Sequence, residues 1–256
     1  MHLDLVKRLN RALSASRDTL FQAVHDTETA VLRNCLKNPS FDHDHMMVLL
    51  RRRDLTGEFL KSIHRHELVR ASHALQRALA RNPKTPTAVF LDLLPKLYLF
   101  ELDDLCKQSW ATPDQKIAAE RLILQKLPNT NLGQKIALAR KGSAPVVEAI
   151  LNGGGPELVE ACLNNPYLRE VALLRFLNGK TATAETISMV GRHQKWKRSP
   201  RLRAAILKNP QTPQVWFLLL LPKVPKPELL RLRDSRRLTV AQKTLVEEEI
   251  LVRARA

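Results

Sequence analysis

One five-residue string occurs twice in this chain, 127 residues apart. Asn82-Pro83-Lys84-Thr85-Pro86 returns as Asn209-Pro210-Gln211-Thr212-Pro213. A shift of 127 residues aligns the chain with itself without a gap from Leu5/Leu132 to Leu124/Leu251, and more than a quarter of the aligned residues are identical. The chain is therefore a tandem duplication, with a first copy at 1–128 and a second copy at 129–256.

The repeated string predicts a helix stop followed by a helix start. Asn82 precedes a proline, which disfavours the α conformation, and asparagine tolerates the left-handed conformation found after helix ends. Thr85 is a predicted N-cap and Pro86 a predicted first helical residue. Corner asparagines at 38, 82, 129, 165 and 209 then predict about three units of roughly 42 residues in each copy.

The rest of the sequence favours helices and no sheet. Leu, Ala, Arg and Lys dominate, and aromatic residues make up 5%, which is a helical composition. We expect 12 to 14 helices, with a loop near residues 95–100 because its counterpart contains Pro225 and Pro227. Gly153-Gly154-Gly155 aligns with a turn inside the first copy, so it predicts a turn within a unit and no domain boundary.

Helical units of this length, broken by Asn-Pro-x-Thr-Pro with leucines beyond, resemble HEAT-like repeats and the variant leucine-rich repeat. Leu91 and Leu94 follow the first string in that way. The resemblance implies an all-α, right-handed α-solenoid of about six helical-repeat units. The two copies then form either one continuous superhelix, which we favour, or two stacked lobes. It also implies a concave surface that binds a macromolecule, and it assigns no catalytic residue.

Charge is the most unusual property of the composition. The chain has 42 Lys and Arg against 25 Asp and Glu. Residues 1–127 hold 20 basic and 15 acidic side chains, a net of +5, and residues 128–256 hold 22 and 10, a net of +12. Such a field favours nucleic acid, an anionic lipid surface or another acidic macromolecule, although solubility alone is an alternative reason for it.

Basic residues concentrate between Arg192 and Arg237, where 13 Lys and Arg face only Glu228 and Asp234. Trp196 lies inside this tract, where it would either stack on a base or join the core. Arg-His also repeats in both copies, which predicts basic ridges that follow a phosphate backbone, or solvated helix faces. The candidate nucleic-acid-binding residues are Arg65, His66, Arg70, Arg192, His193, Lys195, Trp196, Lys197, Arg198, Arg201, Arg203, Arg231, Arg233, Arg236 and Arg237.

No residue pattern indicates a catalytic, metal or cofactor site. His43 and His45 alternate with Asp42 and Asp44, but residues two apart on a helix face different ways, so a helix start favoured by acidic residues is the better interpretation. His66 and His193 lack a recurring nucleophile or carboxylate beside them. We expect no catalytic residue, no metal and no cofactor.

Location and function follow from these observations as expectations. Three cysteines cannot form a closed set of disulfides, no apolar run reaches the ~18–20 residues that span a bilayer, and no signal peptide precedes the helices. A cytoplasmic, non-enzymatic binding protein for nucleic acid is the leading hypothesis. The alternatives are a protein–protein interaction scaffold and, by analogy of fold alone, a repair enzyme like the HEAT-like DNA glycosylases, with Asp103, Asp104 and three tryptophans as its relevant residues.

Overall fold

The computed structural model describes residues 2–255, and within them every regular element is helical. The expectation of an all-α chain is confirmed for that part of the protein, which contains nineteen α-helices. They are α1 His2–Ser14, α2 Arg17–Ala23, α3 Thr29–Cys35, α4 His43–Arg51, α5 Gly57–His64, α6 Glu67–Ala71, α7 His73–Ala80, α8 Thr87–Leu93, α9 Leu99–Lys107, α10 Pro113–Lys126, α11 Leu132–Lys141, α12 Ala144–Leu151, α13 Pro156–Leu163, α14 Glu170–Asn178, α15 Ala184–Arg192, α16 Pro200–Leu207, α17 Gln214–Leu220, α18 Lys226–Arg233 and α19 Val240–Arg255.

The described helices exceed the predicted 12 to 14 because many are only two turns long. Caps such as Ser72 and Ser199, which the sequence did not mark as breaks, start new helices. The predicted loop near residues 95–100 is a break in both copies but a shorter one: 3₁₀ turns at Leu94–Lys96 and Leu221–Lys223 open it, and α9 and α18 begin at Leu99 and Lys226. In the second copy the counterpart of α6 is the turn at 194–198.

The chain divides into two compact units, Met1–Gln125 and Lys126–Ala256. In the first unit α1 packs on α3 and α4 packs on α7. In the second unit their counterparts make the same pairs, α11 on α13 and α14 on α16. The triple glycine lies between α12 and α13, within the second unit as predicted, and Gly154 has a φ of 75° with no room for a Cβ beside the Thr181 carbonyl.

The corner asparagines are buried hydrogen-bonding centres. The Asn82 amide group donates to the carbonyls of Leu50 and Arg52 at 2.9 and 2.6 Å, and its side-chain oxygen accepts the Lys84 N–H at 3.0 Å. The left-handed conformation that we expected at this position does not occur at any non-glycine residue in the described chain. Asparagine is required here because it satisfies backbone groups from two segments at once.

The same arrangement recurs at three further corners. Asn38 joins the carbonyls of Ala12 and Ala15, Asn165 joins those of Ala139 and Gly142, and Asn209 bonds that of Leu177. Asn129, the fifth predicted corner, is exposed and ends a 3₁₀ turn instead. It therefore does not belong with the four buried corners, which is why its spacings of 47 and 36 residues were irregular.

The threonine of the string also differs from its predicted role. Thr85 Oγ1 donates back to the Leu79 carbonyl at 2.6 Å, and Thr212 does the same to Ile206 at 2.5 Å. Each hydroxyl thus closes the helix that has just ended. The N-cap of α8 is Pro86.

Two further properties of the chain are relevant to function. Within residues 2–255 no helix has both the length and the apolar character needed to cross a bilayer. Cys35, Cys106 and Cys162 are free and buried. Burial is the main cause that raises the pKa of Cys35 to about 11 and that of Cys106 and Cys162 to about 12, so these thiols stay protonated.

Candidate nucleic-acid interface

The densest basic surface lies where α15 leads into α16. Arg192 ends α15, a turn carries Lys195, Lys197 and Arg198, and Arg201 stands in the first turn of α16. All five side chains are exposed. None of these five, which we call the Arg192–Arg201 cluster, has a carboxylate within 4.0 Å among the described residues. The cluster therefore presents uncompensated positive charge to solvent.

Trp196, in the middle of this cluster, belongs to the core. Its side chain is 7% exposed, and its indole N–H donates to the Leu163 carbonyl at 3.2 Å. The Lys195 ammonium lies 4.4 Å from the ring centroid. A buried indole has no free face for a base, so we correct the stacking role and retain Trp196 as the residue that fixes the turn beneath the cluster.

Arg203 is likewise structural. Its guanidinium donates to the carbonyls of Lys197 and Arg198 at 3.0 and 3.4 Å. These bonds tie the turn at 194–198 to α16 and hold the neighbouring cations in place. Arg203 is a predicted binding residue, but two of its five N–H donors bond within the turn.

The arginines near α18 divide into paired and unpaired members. Arg233 bonds Asp234 at 2.8 Å, and this bond lowers the pKa of Asp234; Arg231 lies 4.0 Å from Glu228. Arg236 is exposed and has no carboxylate partner among residues 2–255. Arg237 donates to the carbonyl and side-chain oxygens of Asn178 at 3.3 and 3.4 Å, which places it at the end of α14.

The two repeated histidines make structural hydrogen bonds. His66 Nδ1 accepts the Leu68 N–H at 3.3 Å and caps α6, which leaves Nε2 to donate to the Leu36 carbonyl at 3.3 Å. His193 Nε2 lies 3.3 Å from the side-chain oxygen of Asn164. Burial and then the Lys195 charge lower the pKa of His193, so it is neutral near pH 7.

In the second copy Trp196 takes over the bond that His66 makes in the first. Leu163 is the counterpart of Leu36, and its carbonyl accepts from the indole of Trp196. The remaining candidates of the first copy are also exposed: Arg65 at the C-cap of α5 and Arg70 on α6.

A groove between α14 and α16 adds basic residues that sequence reasoning did not select. It consists of two adjoining cavities of about 400 and 260 Å³ that share Asn178. Arg201, Lys208, Lys180 and Arg237 line it. Lys208 aligns with Arg81 under the 127-residue shift, so this position is basic in both copies, but only the packing of α14 on α16 forms the groove that Lys208 and Arg201 line.

One carboxylate borders this groove. Lys208 Nζ lies 2.8 Å from Glu228, and that hydrogen bond is the largest cause of the lowered pKa of Glu228. The groove is therefore basic on balance, with three cations beside one ion pair. Arg201 belongs both to the groove and to the Arg192–Arg201 cluster, so the two basic surfaces are continuous.

The histidines and aspartates of the metal-like string form a helix cap. Asp42 accepts the N–H of Asp44 and His45, and the buried His45 Nδ1 accepts the Asp42 N–H at 3.2 Å. In the described part of the chain no group of three or more His, Cys, Asp and Glu side chains is arranged to hold a metal. Asp103, considered for a repair enzyme, forms an ion pair with Lys107 at 2.5 Å.

Comparison with known proteins gives no assignment. No protein-family model matches the chain, and neither the curated proteins nor the solved structures contain a significant match.

Proposed function

We propose that this protein is a non-enzymatic helical-repeat protein that binds nucleic acid through the second copy. The Arg192–Arg201 cluster carries the proposal, because five exposed cations occupy ten consecutive residues with no carboxylate partner in the described chain. A protein that needed only solubility would gain nothing from crowding like charges. Fixed cations on a rigid turn match the regular negative charge of a phosphate backbone.

The binding is electrostatic in character. Each phosphate that the cluster neutralises releases counterions. The slope of log K against log salt concentration therefore becomes more negative by roughly 0.9 per phosphate contact for a duplex and by roughly 0.7 for a single strand. Five contacts predict a slope of about −4, which is steep enough to measure between 50 and 200 mM salt. Exposed Lys and Arg reach phosphates of any sequence, so the proposal includes no sequence preference.

The proposal also covers fold and location. Each copy is a short α-solenoid of three HEAT-like units, supported by the corresponding helix pairs, α1 on α3 and α11 on α13, and by buried asparagine corners 44 residues apart in both copies. The three free, buried thiols suit a reducing cytoplasm.

The test replaces three cations of the cluster and matches them with three cations elsewhere. Lys195→Gln/Lys197→Gln/Arg198→Gln removes three charges from the turn, and Lys135→Gln/Arg140→Gln/Lys141→Gln removes three from α11. Fluorescence anisotropy with a 20-nucleotide single strand and a 20-base-pair duplex gives Kd from 50 to 200 mM salt. We expect the cluster variant to bind about tenfold or more weakly and to lower the salt slope by about 2 to 3.

The control variant is expected to change Kd by no more than about threefold through its effect on net charge. Absence of binding by the unmodified protein at 50 mM salt would reject the proposal. Equal losses in the two variants would reject the assignment to the cluster.

A protein–protein scaffold is the second candidate, and one observation favours it. α17 exposes Val215, Leu218 and Leu219 on one face, at 51, 63 and 54%. The counterpart of Leu219 in the first copy is Asp92, which pairs with Lys96. Leu218→Asp/Leu219→Asp is expected to abolish the binding of a protein partner without weakening the binding of nucleic acid. If this variant still binds its protein partners as the unmodified protein does, α17 is not the contact surface.

A further inference from the structure

A second arginine-lined groove lies in the first copy, between α4 and α7. Its cavity has a volume of about 430 Å³. None of its arginines is among the candidates that the sequence predicted for binding. It occupies the position that corresponds, under the 127-residue shift, to the groove between α14 and α16.

Four guanidinium groups line this first-copy groove. Arg51 ends α4 and Arg53 follows it, whereas Arg77 and Arg81 stand one turn apart at the end of α7. Arg51 and Arg53 are exposed and have no carboxylate partner among residues 2–255. Arg52, between them, points elsewhere, because it donates to the carbonyls of Val24 and Asp26.

The other two arginines have weakly held carboxylate partners. Arg77 lies 3.5 Å from Glu101 and Arg81 lies 3.2 Å from Asp104, with side chains 47 and 42% exposed. Water reaches both members of the Arg81–Asp104 pair, so this pair contributes little and a phosphate with two or three charge-assisted bonds competes with it. Arg77 shares its carboxylate, since Glu101 also bonds His73 at 2.8 Å.

The floor of the groove is apolar and firmly held. Met47, Leu50, Ala74, Ala78 and Pro83 line it. The buried Asn82 side chain bonds the backbone at the end of α4, as described above, so the floor and the α4 arginines are fixed to each other. A ligand thus meets a preformed surface, apolar below and cationic at the rim.

Comparison with the second copy indicates that charge in this groove is maintained. Arg77 has Ala204 as its counterpart, and Ala74 has Arg201, so the arginine has moved by one turn along the same helix face. Both grooves carry four cations: Arg51, Arg53, Arg77 and Arg81 in the first, and Lys180, Arg201, Lys208 and Arg237 in the second. The apolar floor positions Leu50, Ala78 and Pro83 are unchanged in the second copy.

We propose that the groove between α4 and α7 binds one nucleotide, with its phosphate on the arginines and its base on the apolar floor. Planar guanidinium groups bind phosphate oxygens in pairs and also stack on bases. The cavity volume falls within the range of ordinary ligand sites. The nucleotide is either a free monophosphate or one unit of a strand; in the second case the inference rests on the nucleic-acid binding proposed above.

The first test removes the two arginines that lack partners. Arg51→Ser/Arg53→Ser is compared with Arg33→Ser/Lys37→Ser, which removes two exposed charges outside the groove, one in the last turn of α3 and one just after it. The probes are adenosine monophosphate, inorganic phosphate and a ten-nucleotide oligothymidylate. We expect the Kd of the groove variant for oligothymidylate to rise about fivefold or more, and adenosine monophosphate no longer to displace oligothymidylate from it. The Kd of the control variant should stay within about twofold of that of the unmodified protein.

The second test moves one arginine by a turn along α7, to the position that the second copy uses. Arg77→Ala is expected to weaken binding about threefold or more. Arg77→Ala/Ala74→Arg, which copies the arrangement of Arg201 and Ala204, is expected to restore it. A purely structural role for Arg77 would not be rescued by a cation one turn away, so failure of the rescue contradicts the proposal.

The outcomes separate this groove from the Arg192–Arg201 cluster. Displacement by the monophosphate, but not by inorganic phosphate alone, identifies a nucleotide site. Binding of oligothymidylate that depends on the cluster and not on Arg51 and Arg53 leaves the proposed function intact and overturns the inference. Binding of the monophosphate without any strand binding retains the inference and overturns the proposed function.

Discussion

The two copies keep the same buried asparagine corners and differ in almost every ion pair. Asn38 and Asn165, and likewise Asn82 and Asn209, tie the corresponding backbone segments. The ion pair between Arg52 and Asp54, in contrast, has no equivalent, because the corresponding residues are Gly179 and Thr181.

Most acidic partners of the first copy are replaced in this way. Asp42 and Asp44 hold Arg17 at 2.6 and 2.8 Å, but their counterparts are Arg169 and Val171. Asp92 holds Lys96 at 3.0 Å, but its counterpart is Leu219. The higher net charge of the second copy thus arises mainly from the loss of acids, which leaves cations without partners.

This difference shows that burial decided which residues could diverge between the two copies. A buried polar group that loses its partner costs about 1–3 kcal/mol, whereas an exposed ion pair contributes about 0–1 kcal/mol. Exposed carboxylates were therefore free to disappear, and the surface of one copy could acquire a function that the other need not share.

The largest expected effect tests the shared corners. Asn82→Ala should lower the free energy of unfolding by about 3 kcal/mol, because it leaves two buried carbonyl groups and an N–H group without partners. Asn209→Ala, which leaves one carbonyl group and one N–H group without partners, should cost about 2–3 kcal/mol. Urea denaturation measures the loss. Asn129→Ala is the control, since Asn129 is exposed, and it should change stability by less than about 0.5 kcal/mol.

A large difference in the free energy of unfolding between Asn82→Ala and Asn209→Ala would mean that the corresponding corners of the two copies are not equivalent. Similar effects of Asn82→Ala and Asn129→Ala would contradict the distinction between the buried corners and the 3₁₀ turn.

An intermediate effect is expected where the core of the second copy has diverged. A Cβ at Gly191 would come within 2.6 to 2.8 Å of the Trp216 ring, whose N–H donates to Ser188 Oγ at 2.9 Å. Gly191→Ala should therefore destabilise the protein by about 1–2 kcal/mol through overpacking. The measurement is the urea midpoint.

The matched variant places the smaller residue of the first copy at the same site. Trp216 has Val89 as its counterpart, and Gly191→Ala/Trp216→Val should show no additional cost of the alanine beyond that of Trp216→Val alone. Additive losses would mean that the close approach of the ring is not the cause.

The smallest effect concerns an ion pair that only the first copy has. Burial acts to raise the pKa of Asp42, but hydrogen bonds from Arg17 and His45 outweigh it and hold the pKa at about 2. Because this pKa lies below the unfolded value of about 3.9, the stabilisation is complete above about pH 4 and disappears as the pH falls towards 2. Asp42→Asn keeps an N-cap and loses the charge.

We expect Asp42→Asn to cost about 1 kcal/mol at pH 7, a value reduced for the exposure of the pair, and less at pH 2.5. Urea unfolding at both pH values measures the difference. Arg169→Asn, the same substitution at the corresponding position, should show no such pH dependence. An equal cost of Asp42→Asn at pH 7 and pH 2.5 would contradict the assigned pKa.

The sequence by itself determined the duplication, the register between the copies and the positions of the main breaks. These features depend on local chemistry: proline prevents helix at Asn82 and Asn209 wherever they lie, and aligned glycines and prolines resolve ambiguous segments. The helix start favoured by the acidic residues at α4 followed from the same reasoning and agrees with the structure.

The tertiary structure decided which polar residues are structural. Asn82 bonds a carbonyl 32 residues earlier, and Trp196 bonds one 33 residues earlier; no local pattern encodes those partners. The grooves are likewise formed by helices that are distant in sequence, so Arg51 and Arg81 could not be grouped in advance. Local preferences come from neighbouring residues, whereas burial and long-range hydrogen bonds depend on which helices pack together.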